Sequence, residues 1–158
     1  MSTPKEREEE LVKGKEMIKL ASGKNKDAAR YLHMLGRVWR VLDDIYDDDY
    51  LVTRTDVLEI IEYLFIEIPA NRFFIRHQDK LTSQHTTAYN AWMAANRWND
   101  GNLEQRLFSH VWRGDYQSAI GLVALLTQGI DQMKLVDKKV KEIFGPVGED
   151  FDINNLGE

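Results

Sequence analysis

Residues 28–46 read AARYLHMLGRVWRVLDDIY, and their apolar members decide the fold class. Ala28, Leu32, Leu35, Trp39, Leu42 and Tyr46 recur at alternating intervals of four and three. That spacing places them on one face of a helix, because 3.6 residues complete a turn. Downstream, Leu58, Ile61, Phe65 and Ile68 repeat the pattern, so a third helix is expected with these residues facing the core. Pro69 lacks a backbone N–H and clashes with the preceding turn, which requires a kink or a restart there. The pattern then continues through Phe73, Phe74 and Ile75 towards Leu81.

Upstream, Thr3, Pro4 and Glu6 read as the start of a first helix that runs to about Ala21, with Gly23 ending it and Leu11, Met17, Ile18 and Leu20 as a thin apolar stripe. Ser83 is the expected cap of a fourth helix holding Ala88, Trp92, Ala95 and Trp98, which stops at Asn99-Asp100-Gly101. Asn102 and Gln105 resemble a capping pair for the next helix, whose spacing runs from Leu107 to Leu125 across Gly114; the sequence leaves open whether Gly114 divides it. A last helix is expected from about Gln132 to Phe144. No strand alternation and no repeat is visible. The expectation is one all-α domain over residues 1–145, with five to seven helices organised around an antiparallel hairpin of about 25–48 and 55–80. An acidic tail over 146–158, with little to bury, is expected to be mobile.

The chain has 158 residues, of which 43% are hydrophobic and 30% charged, with a net charge of −5 and no cysteine. This length suffices to bury a sizeable core without disulfides or a structural metal. The lack of cysteine excludes thiol catalysis and cysteine zinc sites. The longest apolar stretch, Ala119 to Leu126, is far short of the roughly 20 residues of a membrane span. The opening MSTPKEREEE is polar and does not read as a secretion signal, so a cytoplasmic setting is expected. The acidic balance and the lack of a long basic stripe argue against duplex nucleic acid as a partner.

The chemically distinctive segment is DDIYDDD, in which five of the seven residues from Asp43 to Asp49 are aspartate, together with EIIE at Glu59 to Glu62. Asp43 and Asp47 each follow a core position, Leu42 and Tyr46, and so lie about 100° round the helix from the buried stripe. Glu59 and Glu62 stand in the same relation to Leu58 and Ile61. In an antiparallel hairpin turning near residues 52–53 the two flanks fall on one side, with Asp47 level with Glu59 and Asp43 level with Glu62. Four converging carboxylates would repel one another unless something positive sits among them. Mg²⁺ or Mn²⁺ suits such oxygen ligands, and Arg or Lys is the other answer. The plainer reading is a solvated acidic helix end.

These two acidic segments resemble the paired helices of MazG-type all-α nucleoside triphosphate pyrophosphohydrolases. By that resemblance Asp43 or Asp44, Asp47, Glu59 and Glu62 would hold Mg²⁺, which would bind a triphosphate and help activate water. Aspartates stand where that family usually carries glutamates in its first motif. DDIYD is also similar to the first aspartate motif of isoprenyl diphosphate synthases, but the second motif of those enzymes is absent.

Arg72, Arg76 and Lys80 stand four apart, as a phosphate or anion grip would require, or as a solvated face opposite Phe73 and Phe74. Ser109 beside His110 does not make a nucleophile and base, since consecutive helix residues point about 100° apart. Two functions are therefore weighed. One is a soluble interaction or assembly protein without catalytic activity, pairing with itself or with another protein and needing no cofactor. The other is a Mg²⁺-dependent hydrolase of nucleotide phosphates.

Overall fold

The computed structural model describes residues 4–47, 51–98 and 100–144. Seven helices of nine residues or more carry the fold: α1 (Pro4–Ser22), α2 (Lys26–Asp47), α3 (Arg54–Glu62), α4 (Gln78–Trp98), α5 (Leu103–Arg113), α6 (Ser118–Gln128) and α7 (Ile130–Phe144). Among the described residues there is no strand. The chain forms a single all-α domain. The expected cap at Thr3, the turn residue Asn99, Asp48 and Asp49 of the acidic run, and the 146–158 tail lie outside the described residues.

Helix ends follow local chemistry. At Gly23 (φ 55°) the chain turns out of α1 through a left-handed conformation, and an added Cβ would lie 2.9 Å from the Gln128 side chain. The last carbonyls of α1 are answered from the far end of the sequence. Thr127 Oγ1 donates to Ala21 O (2.7 Å), Gln128 Nε2 to Leu20 O and Ala21 O (3.0 Å each), and Gln132 Nε2 to Leu20 O (3.1 Å). Asn102 and Gln105 form a reciprocal capping box on α5. Gly114 ends α5, and a 3₁₀ turn over Asp115–Gln117 leads into α6, so the spacing that runs across Gly114 is two helices. Gly129 (φ 95°) separates α6 from α7.

The helix α2 runs through the centre. Ala28, Leu32, Leu35 and Trp39 of its stripe are buried, Leu42 is half-buried and Tyr46, expected in the core, is 50% exposed, while Tyr31, Met34, Val38 and Val41 are buried as well. Met17 and Ala21 of α1, Leu81, Ala88 and Trp92 of α4, Val123 and Ala124 of α6, and Val136 and Val140 of α7 complete one core with it. Burying a large apolar side chain contributes about 1.5–3 kcal/mol, so this set dominates the stability. Val38, Val41 and Ile60 form a smaller second cluster under α3.

Two boundaries differ from expectation. α4 starts at Gln78 and not at Ser83, and the rod holding α3 is not one α-helix. After Glu62 it widens into a π-helical turn over Tyr63–Glu67 and closes with Ile68–Ala70 before breaking at Asn71 (ψ 124°). Asn71 Oδ1 caps the short Arg72–Arg76 turn by accepting from Phe74 N (3.0 Å), while its Nδ2 donates to Asp27 O (2.9 Å) on α2. The second arm of the expected 55–80 hairpin therefore ends at Ala70.

Candidate functional site

The decisive feature is how α3 sits on α2. The sequence pattern places Leu58, Ile61, Phe65 and Ile68 inside, but Leu58 is 60% and Phe65 77% exposed, Ile61 is also exposed, and only Ile68 is buried. The face that docks carries Asp56, Glu59, Ile60, Tyr63 and Glu67. Ile60, 7% exposed, packs on Val38 and Val41. Arg37 of α2 donates from Nε to Glu59 (2.7 Å) and from Nη2 to Asp56, and Arg30 pairs with Glu67. Tyr63 OH donates to the other Glu59 oxygen (3.0 Å). At 100° per residue this is a rotation of roughly 150° from the expected orientation. The extra residue in the π turn then shifts the register, so Ile68 returns to the core although Ile61 seven residues earlier faces out.

This rotation decides the fate of the four candidate metal ligands, because it does not bring them together. Asp47 accepts from Arg113 Nη2 (2.7 Å) and Nη1 (3.2 Å) of α5. Arg113 in turn reaches Asn96 Oδ1. Asp43 accepts from the Trp92 indole N–H of α4 (3.3 Å). Burial raises the Asp43 pKa, the Trp92 hydrogen bond opposes that shift, and the Asp47 charge adds to it. Glu59 lies on the Arg37 side of α2, and the Arg37 hydrogen bond holds its pKa below the usual carboxylate value, with burial opposing. Glu62 is exposed. Among the described residues no group of three or more His, Asp or Glu side chains is arranged to hold a metal ion. Arginine, the second of the two expected answers, therefore meets Asp47 and Glu59.

The predicted anion grip is also divided. The helix breaks at His77 (φ −121°, ψ 20°), between Arg76 and Lys80. Those two and His77 line a shallow hollow of about 240 Å³ that does not include Arg72. Partial burial lowers the His77 pKa, and the Lys80 and Arg76 charges lower it further. Ser109 Oγ donates to the Ala95 carbonyl (2.7 Å) in the α4–α5 contact, which is a structural bond.

Two features were not foreseen. A groove of about 840 Å³ runs along α2 between α1 and the start of α6. Trp39 and Tyr116, stacked with ring centroids 5.4 Å apart, line it, and its rim mixes Lys13, His33 and Arg40 with Asp44 and Glu142. Both signs of charge are present, so the groove has no single-sign field for a polyanion. The other feature is the outward face of α3, where Val57, Leu58, Ile61, Leu64 and Phe65 are all exposed. Large contiguous apolar surface of this kind marks interaction sites.

Compared with known protein families, curated proteins and solved structures, the chain matches none. What the fold defines is an all-α helical domain, and its function rests on the geometry above.

Proposed function

We propose that this chain is a non-catalytic interaction or assembly protein that docks a protein partner on the outward face of α3. The observation that carries this reading is the inversion of that helix. Asp56 and Glu59, with Glu67 in the π extension, turn inward to Arg37 and Arg30, while the apolar stripe of the helix turns to solvent. Exposed single apolar side chains need no explanation, but an apolar stripe set outward by a specific set of ion pairs does. The alternative, Mg²⁺-dependent phosphate hydrolysis, would need Asp43, Asp47, Glu59 and Glu62 gathered around a cation. Three of the four are held by other side chains.

The test is site-specific photocrosslinking in cells. A photoreactive residue at position 58, 61 or 65 is expected to give a discrete adduct. The same group at position 89, where Tyr89 on α4 is 54% exposed, between Ile61 and Leu58, is expected to give none. Adducts at no position of α3, or the same adducts at position 89, would overturn the proposal.

A further inference from the structure

The outward face of α3 is complementary to itself. Leu58 lies near its middle, with Arg54 one turn before and Glu62 one turn after, all exposed, the two charges standing about 40° to either side of Leu58 around the axis. Among the described residues neither Arg54 nor Glu62 has an ion-pair partner. Arg54 occupies the first turn, where the helix dipole disfavours a cation, so an acidic group from elsewhere would be favourable there. Seven residues either side of Leu58 stand Leu51, 83% exposed, and Phe65, 77% exposed, the two most exposed large apolar side chains of the described residues. Leu51 precedes the Thr53 cap, and Phe65 lies in the π turn.

A two-fold axis through Leu58, perpendicular to α3, lays a second α3 antiparallel over the first. Leu58 then meets Leu58, Arg54 of each copy meets Glu62 of the other, and Phe65 reaches towards the Leu51 end. This is the self-complementary arrangement that two-fold dimers require. Leu58, Ile61 and Phe65 lie within about 60° of the Leu58 direction and face the second copy, whereas Val57 and Leu64 stand roughly 100–120° round the axis and flank the contact.

We propose that the occupant of this face is a second copy of the chain, in a two-fold dimer with Leu58 on the axis and reciprocal Arg54–Glu62 pairs on both sides. This rests on the reading of the α3 face as a docking surface.

Sedimentation equilibrium over a wide concentration range tests it with four proteins: wild type, Arg54→Glu, Glu62→Arg and the double swap. Both sites are exposed, so folding is not at risk, and far-UV circular dichroism checks it. Wild type should dimerise, and each single reversal, which sets like charges opposite one another twice, should weaken the dimer by at least about tenfold. The double swap should restore it to within about twofold. A monomer at all concentrations, a dimer indifferent to the single reversals, or a double swap as weak as the singles would overturn the proposal. If the chain stays monomeric while a photoreactive group at position 58 captures a different protein, self-pairing fails and the docking surface stands. If that group captures nothing, both fail.

Discussion

Replacing Ile60 and Ile61 by alanine, one at a time, isolates the inversion of α3 from every other feature of the fold. Ile60 is 7% exposed and packs against Val38 and Val41, whereas Ile61 is 44% exposed. Truncating a buried isoleucine to alanine removes three carbons, and at about 0.8 kcal/mol per buried methylene the loss is about 2.4 kcal/mol. That sits at the low end of core truncations, as suits a small satellite cluster with room to relax. Ile61→Ala removes the same atoms from a side chain already in water and should stay within about 0.5 kcal/mol. The assay is urea unfolding followed by circular dichroism, with both variants and wild type at the same low concentration. Low concentration matters because self-association stabilises the folded state by mass action and would add an apparent cost to Ile61→Ala that grows with protein concentration. If Ile61→Ala costs more than Ile60→Ala at a concentration where the chain is monomeric, α3 docks by the opposite face. The outward apolar surface would then not exist.

Other consequences concern the charged and titratable groups. Hydrogen bonds from Arg37 lower the Glu59 pKa, and those from Thr53, followed by Arg37, lower that of Asp56. A lowered folded pKa contributes stability that is fully present above the unfolded values of about 4 and is lost as pH falls through the folded ones. Arg37→Met should therefore flatten the acid limb of a stability-against-pH curve below about pH 4 and leave its neutral shape unchanged. Burial lowers the pKa of His85, which is bonded to the Tyr31 hydroxyl with the two rings nearly parallel (10°). Its contribution is present above about 6.5 and lost as pH falls below that value. Proton NMR should find the His85 imidazole titrating at lower pH in the folded protein than in urea. Asp47→Asn leaves one acceptor for Arg113 in place of two and also relieves the repulsion on Asp43, so chemical denaturation should show a loss of only about 1 kcal/mol. Under the interaction reading, millimolar Mg²⁺ or Mn²⁺ should leave the thermal midpoint of wild type and Asp47→Asn equally unmoved. A shift in wild type alone would favour the hydrolase.

The fold class was legible because α2 has a strong single-face period and because Gly, Pro and capping residues mark most helix ends. The Asn102–Gln105 box and the break after Pro69 are local chemistry, which sequence carries directly. The orientation of α3 was not legible by the same rule. From Val57 to Ile68 the segment is apolar on nearly every side, so periodicity offers several acceptable faces, and the choice falls to what α2 presents to it. Charge carried the missing information. On α2, Arg30 and Arg37 stand seven apart on one face; on α3 and its π extension, Glu59, Tyr63 and Glu67 stand four apart on one face. The pairs Arg37–Glu59 and Arg30–Glu67 climb one helix while descending the other, as two antiparallel rods must. Exposed ion pairs are individually weak, but their sum need only exceed the difference between two apolar faces of similar size. That difference is small here because Ile60 and Tyr63 give the charged face an apolar centre of its own. A weak electrostatic preference can thus select which apolar stripe faces solvent, so Glu59 and Glu67 set the orientation of this rod on α2.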